Sequence, residues 1–353
     1  VHELPPAHVA SIKADGLKMS VEAFAEPRQF KPCSFGRIYF SRGNDSTIYA
    51  QRKGLGETLV PQFLEATDND LENTVVSFIP NTAETAYYGL MDGLRKQRRS
   101  EVKDLLMSML ASGDLDETKV DDLILRNWPR AEKIAHKDVK LRTFISQEGD
   151  RNTMASMVYD ITYGVVTEKD TLVVVDDSIV RGTTLRKNLL RILARTMPRR
   201  IIVMSTAPQI RYPDCYGIDM AEIGRFIAFE AAIELTKEGG NWHHLDDLHR
   251  QAKEELLKPA SEMINVVKGL YAPFTDEQIS ARISQMVKPR GIGWDGDVRV
   301  IYQTVEGLHR ALGEEVGDWY FTGDYPTPGG FEMVNRSFVN FMEKRAGRAY
   351  DLL

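Results

Sequence analysis

Apolar positions along the chain follow two distinct rhythms. Val75-Val76-Ser77-Phe78-Ile79-Pro80 and Leu172-Val173-Val174-Val175 are short runs dominated by β-branched and aromatic residues. The second has no polar residue at alternate positions, which predicts a strand covered on both faces in a parallel sheet. Helical spacing follows each run: residues 85–94 after the first, and Leu189, Leu190, Ile192 and Leu193 within 185–194 after the second. A further strand pattern, Ile201-Ile202-Val203-Met204, then implies a right-handed parallel crossover. Upstream, residues 36–40 read as a strand and residues 57–66 as a helix with Leu59, Val60, Phe63 and Leu64 on one stripe. Residues 7–30 carry short apolar pieces broken by Asp15-Gly16 and Pro27, a pattern of brief strands and turns.

Residues 95–135 are charge-rich, with Leu105, Leu106, Met109 and Leu110 on one helical face, and read as a helical insertion ending near Trp128-Pro129. Residues 226–235 and 245–257 are helical in pattern, and Thr275-Asp276-Glu277-Gln278 has the form of a capping box. The last third is therefore expected to be largely helical. Together these elements predict an α/β fold: a central, mostly parallel sheet flanked by helices, with a helical insertion and a helical C-terminal part.

Composition narrows the functions open to such a fold. At 353 residues and 42% hydrophobic the chain can bury a sizeable core. A net charge of −6 argues against a dedicated nucleic-acid binder, which needs a basic surface. No apolar run approaches the roughly 20 residues that span a bilayer, so no membrane partner and a cytoplasmic location are expected. Cys33 and Cys215 are far apart and show no zinc, redox or disulfide spacing, which reads as two reduced thiols. The chain opens on Val1-His2-Glu3-Leu4-Pro5-Pro6, which reads as the middle of a folded unit.

The chemistry concentrates after Val175. In an open parallel sheet, ligands bind beyond the carboxyl ends of the strands. Asp176-Asp177 stand there, and two carboxylates 4 Å apart would repel by roughly 4 kcal/mol at an effective dielectric near 20. Such a pair favours hydroxyl donors and a cation; a sugar diol and Mg²⁺ supply both. Ser178-Ile179-Val180-Arg181-Gly182-Thr183-Thr184 then offers hydroxyls, a flexible glycine and a run of backbone N–H groups ahead of a helix, the parts of a phosphate cradle. Acids and glycine also suit a plain helix N-cap. The full nine-residue loop after four apolar residues instead describes one ligand, a ribose 5-phosphate.

The sequence from Val173 through Thr184 resembles the phosphoribosyl pyrophosphate (PRPP) motif of the type I phosphoribosyltransferases, and its Ser-Ile-Val-Arg-Gly-Thr-Thr form that of the glutamine PRPP amidotransferases. Cys33-Ser34-Phe35, Tyr39-Phe40-Ser41-Arg42, Ile79-Pro80-Asn81-Thr82, Arg142-Thr143-Phe144-Ile145, Tyr216-Gly217-Ile218-Asp219 and Phe321-Thr322-Gly323-Asp324-Tyr325-Pro326-Thr327 fall in the family's order. The resemblance implies the type I phosphoribosyltransferase fold over residues 31–353. Residues 1–30 would be the end of an N-terminal glutaminase domain whose nucleophile this chain lacks. It implies 5-phosphoribosylamine synthesis from PRPP and ammonia, drawn from glutamine in the intact enzyme, as the first step of purine synthesis. Homo-oligomers and inhibition by purine nucleotides are also implied.

By the same resemblance, Asp176 and Asp177 hold the ribose hydroxyls and Mg²⁺, and residues 178–184 bind the 5′-phosphate. Asn81, Thr82, Ala83 and Glu84 form the pyrophosphate loop, with alanine at 83 where relatives often have serine; Asn81-Thr82 alone could equally be a helix cap. Arg142 is expected to meet the pyrophosphate at the start of a mobile loop. Relatives carry several basic residues beyond Arg151, where this chain has Ala155-Ser156-Met157-Val158. Lys137, Lys140 or Arg151 would have to compensate. Some relatives bind an iron–sulfur cluster through four cysteines. Cys33 stands at one such position and Cys215 one residue beyond another, occupied by Asp214, so no cluster is expected. Gly217 and Asp219 read as a turn and Trp319-Tyr320-Phe321 as core. A base-salvage transferase and a non-catalytic PRPP sensor are the competing readings.

Overall fold

The computed structural model describes residues 4–14, 16, 18–26, 31–125, 128–137, 159–182, 185–215 and 220–349. Along it, β1 (His8–Ile12) and β2 (Met19–Ala23) pair as an antiparallel hairpin, and β5 (Ala135–Lys137) and β6 (Tyr159–Ile161) form a second antiparallel pair. The five remaining strands are β3 (Thr74–Phe78), β4 (Arg130–Ala131), β7 (Thr171–Asp176), β8 (Arg200–Ser205) and β9 (Asp297–Tyr302). They make one parallel sheet in the order β4-β3-β7-β8-β9.

The buried strands are buried because both faces are covered. Leu172, Val174, Ile201 and Val203 point into a large core that includes Leu190, Leu193, Phe229 and Ile279, while Val173, Val175, Ile202 and Met204 meet Leu59, Phe63, Leu90 and Leu94. Each such side chain contributes about 1.5–3 kcal/mol by leaving water. Ser77, the polar residue within the first run, accepts a hydrogen bond from the Ile134 N–H at 3.0 Å, so its burial is compensated.

The helices nearest the site are α1 (Ser46–Glu57), α2 (Val60–Ala66) and α3 (Glu84–Ser112). α1 contains Gly54 and Gly56, which lower helix propensity. Its reason is contact: a Cβ on Gly56 would lie 1.8 Å from the Ala86 carbonyl oxygen, and one on Gly89 1.9 Å from that of Lys53. Glycine lets α1 and α3 pack backbone to backbone.

Two expectations are corrected. Residues Gly36–Phe40 form a π-helical turn instead of a strand. Phe35 packs on Tyr39 and Phe40 with ring centroids 5.9 and 5.7 Å away, a four- and five-residue spacing that a helical turn brings together. The buried Arg52 guanidinium satisfies the carbonyls of Arg37, Tyr39 and Ser41 at 3.1, 3.2 and 2.8 Å, so no neighbouring strand is required. The segment 95–135 is helical only through α3 and α4 (Glu117–Leu125), after which β4 joins the sheet edge and β5 leaves it.

The C-terminal third is largely helical as expected and also supplies β9. Val298, Val300 and Tyr302 alternate inward, and the Val300 N–H donates to Ser284 Oγ at 2.9 Å on a helix packed against this edge strand. The capping box at Thr275 is present as expected, and Trp319, Tyr320 and Phe321 are buried.

Candidate functional site

Strands β3 and β7 are parallel neighbours with Phe78 opposite Val175, so the loops leaving their carboxyl ends lie side by side. The Ile79 N–H donates to the Val175 carbonyl at 2.8 Å and keeps them together past the last strand residue. The β3 loop continues through Pro80 and Asn81, whose connecting peptide is cis, to Thr82. The β7 loop carries Asp176-Asp177-Ser178. Both border one cavity of about 700 Å³.

The acids are fixed by local contacts. The Asp177 N–H donates to Asp176 Oδ1 at 2.9 Å, and Ser178 Oγ donates to Asp177 Oδ1 at 3.2 Å. From the other loop, the Thr82 side chain lies close enough to the Asp177 carboxylate to favour its charged form. Thr206, just beyond β8, donates its N–H to the Asp176 carbonyl and its hydroxyl to that of Asp177, both at 2.9 Å. Burial pushes the Asp176 carboxyl well above the usual range, and the neighbouring Asp177 charge adds to it. Asp177 is raised by burial as well, offset in part by Ser178, Thr82 and the Arg52 charge. Pairs of acids held this way gain from any hydroxyl donor or cation that enters.

Past the acids the loop turns sharply. Gly182 has φ +61°, and a Cβ there would lie 2.2 Å from Ile227 Cδ1, so both backbone and packing demand glycine. The Gly182 carbonyl accepts from the Arg186 N–H at 2.8 Å as a π-helical turn opens at Leu185, and the Val180 carbonyl accepts from the Ile227 N–H at 2.9 Å. Ser178, Ile179, Val180, Arg181 and Gly182 all border the cavity, with Lys137 at its rim. Phe35, Tyr39, Phe40, Leu185, Leu189 and Met220 add an apolar wall to the same cavity, with Tyr39 and Phe40 themselves exposed.

The structure brings Asn81, Thr82, Asp176, Asp177 and residues 178–182 to one cavity. It separates two others. Ala83 is buried in the core beneath the sheet, and the Glu84 carboxylate accepts from the Tyr88 hydroxyl at 2.8 Å outside the cavity. The helix-cap alternative for Asn81-Thr82 does not hold: Ala83 is the N-cap of α3 and no side chain caps it. Arg142, Lys140, Arg151, the segment 155–158, Thr183, Thr184 and residues 216–219 lie outside the described residues.

Sequence reasoning missed Arg52, Thr206 and the aromatic wall. A lone arginine on a glycine-bearing helix and a threonine after a strand carry no pattern of their own. Cys33 and Cys215 are both free thiols. Cys33 Sγ lies 3.2 Å from the Tyr320 hydroxyl, which donates to Asp214 at 2.6 Å, and burial pushes the Cys215 thiol up to about 12. Among the described residues, no group of three or more His, Cys, Asp or Glu is placed to hold a metal ion, and no helix is long and apolar enough to cross a membrane.

Compared with known proteins, the chain matches no family model. Its curated relatives are amidophosphoribosyltransferases. That of Pseudomonas aeruginosa is 26% identical over 255 residues, covering 70% of this chain and 44% of the relative. That of Bacillus subtilis is 27% identical over 243 residues, covering 67% and 42%. The chain therefore spans less than half the length of these relatives. Among solved structures, the glutamine PRPP amidotransferase from B. subtilis complexed with ADP and GMP aligns over 93% of this chain and 53% of its own, with a TM-score of 0.52 and 22% identity. The likeness read from the motifs extends through most of the chain and into its fold.

Proposed function

We propose that this chain performs the phosphoribosyl transfer of an amidophosphoribosyltransferase. It binds PRPP between the β3 and β7 loops and transfers the ribosyl 5-phosphate to ammonia, giving 5-phosphoribosylamine and pyrophosphate at the start of purine synthesis. The observation that carries this reading is that the loops after β3 and β7 line one cavity, with the Thr82 side chain close enough to Asp177 to favour its charged form. On this reading an acid pair suited to a sugar diol works beside a phosphate cradle and a second anion loop.

In this reading Asp176 and Asp177 accept hydrogen bonds from the ribose hydroxyls, and the backbone of residues 178–184 with Gly182 at its turn holds the 5′-phosphate. Asn81 and Thr82 orient the pyrophosphate, Lys137 and Arg142 meet its charge, and Ala83 and Glu84 contribute only backbone. The two acids suit Mg²⁺, a hard cation that takes carboxylate and phosphate oxygens together; when bound it neutralises charge on the leaving pyrophosphate. The bond from the anomeric carbon to pyrophosphate breaks, a bond to the ammonia nitrogen forms, and that nitrogen loses one proton. The acids favour the positive charge that develops on the ring. Phe35, Tyr39 and Phe40 give the cavity apolar lining beside the reacting groups. In the intact protein the ammonia comes from glutamine, and purine nucleotides inhibit the reaction.

Pyrophosphate release from PRPP and Mg²⁺ tests this directly. Release that requires ammonium and vanishes in Asp176→Asn, Asp177→Asn supports the reading. Release that requires a purine or pyrimidine base instead would establish a salvage enzyme, and binding without turnover a PRPP sensor.

A further inference from the structure

The strand register sets three polar residues in a row across the carboxyl end of the sheet. Asp176 on β7 lies opposite Ser205 on β8, and Ser205 lies opposite Tyr302 on β9. Side chains alternate along a strand, so the three share a face with Val174, Val203 and Val300, which stand two residues before them. That face is covered by the larger core, to which Tyr302 belongs. Two strand spacings separate the ends of the row, about 10 Å at the backbone, a gap that the length of a tyrosine side chain is suited to narrow.

The three differ in how they are satisfied. Ser205 Oγ donates to the Ala207 carbonyl at 2.8 Å and accepts from the Ala207 N–H at 3.3 Å, so it is engaged. Asp176 Oδ1 accepts from the Asp177 N–H, and the residue borders the cavity. Tyr302 is only 8% exposed, yet its hydroxyl has no hydrogen-bond partner among the described residues. A buried hydroxyl left in this way is costly to the fold. Burial first, and the Asp176 charge second, keep the phenol protonated, so it remains a donor.

A carboxylate accepts up to about four hydrogen bonds, so Asp176 can receive the phenol from the interior and the ribose hydroxyls from the cavity together. Resting on the PRPP reading of the site, we propose that Tyr302 is a positioning residue: its hydroxyl donates to the Asp176 carboxylate, directly or through one water, and fixes the plane that the acid turns to the ribose. The phenol acts through the acid and does not touch the substrate.

Calorimetry of PRPP binding with Mg²⁺, beside thermal melting, tests this in the wild type, Tyr302→Phe, Asp176→Asn and the double variant. Tyr302→Phe is expected to weaken PRPP binding about tenfold while the melting temperature of the ligand-free protein holds or rises, because the lost hydroxyl has no partner there. In the Asp176→Asn background the phenol meets a neutral amide, and the same change is expected to cost about threefold. Wild-type affinity in Tyr302→Phe, a melting temperature that falls with the affinity, or an equal loss in both backgrounds each overturn the proposal. If Asp176→Asn alone binds PRPP as the wild type does, the PRPP reading of the acids fails and the proposal fails with it.

Discussion

The Thr82 side chain lies beside the Asp177 carboxylate and favours its charged form, so the loop after β3 acts on the loop after β7. A hydrogen bond to a charged group contributes roughly 1.5 kcal/mol, which is about tenfold in affinity. Thr82→Val is therefore expected to weaken PRPP binding about tenfold in calorimetry while leaving the melting temperature nearly unchanged. Equal affinity in the two proteins would show that the loops act separately.

The acid pair sets a pH dependence whose sign is fixed. Burial raises both carboxyls above their unfolded values. The folded protein then retains protons that the unfolded chain has released, so the stability from these groups is present at low pH and is lost as pH rises through the folded values. Asp177→Asn removes part of that loss. The ligand-free variant is expected to melt about 2 °C or more above wild type at pH 7, with the difference closing near pH 4. Affinity for Mg²⁺ with PRPP runs the other way, rising with pH as the acids ionise.

Gly182 combines a left-handed backbone with a close approach to Ile227. Gly182→Ala should cost about 1–2 kcal/mol from the backbone alone, with the clash adding to it. Urea unfolding measures the loss, and PRPP affinity should fall further than stability because the phosphate cradle is displaced.

Arg52 donates to three carbonyls with one planar group. Arg52→Met leaves those carbonyls without their donor and is expected to lower unfolding free energy by about 2–4 kcal/mol in urea. Lysine cannot reproduce the fork, so Arg52→Lys should recover only part of it.

The Cys215 thiol, raised to about 12, should be unreactive. At pH 8 its alkylation by iodoacetamide is expected to be on the order of a thousandfold slower than that of a small free thiol, and to accelerate as pH rises. Mass spectrometry of the labelled chain follows the rate.

The central strands were legible because burial on both faces leaves a continuous apolar run, as in β7 and β8. β9 was not: only alternate residues of Asp297-Val298-Arg299-Val300-Ile301-Tyr302 face the core, and helical patterns surround it. Gly36–Phe40 misled for the opposite reason, since a dense aromatic run reads as strand until the contacts of Phe35 and Arg52 are known. The acids and Gly182 announced themselves through the order of their loop. The tie through Thr82 did not, because it depends on which strands become neighbours.

That neighbour relation also governs when the site can appear during folding. β3 and β7 pair in parallel with α3, α4 and the β4–β6 strands between them in sequence. Closing so long an interval is entropically slow, and parallel strands cannot be joined by a short turn. The cavity therefore assembles late, after helices such as α1 and α3 have begun to form. Recovery of PRPP binding on refolding should lag behind recovery of helical circular dichroism.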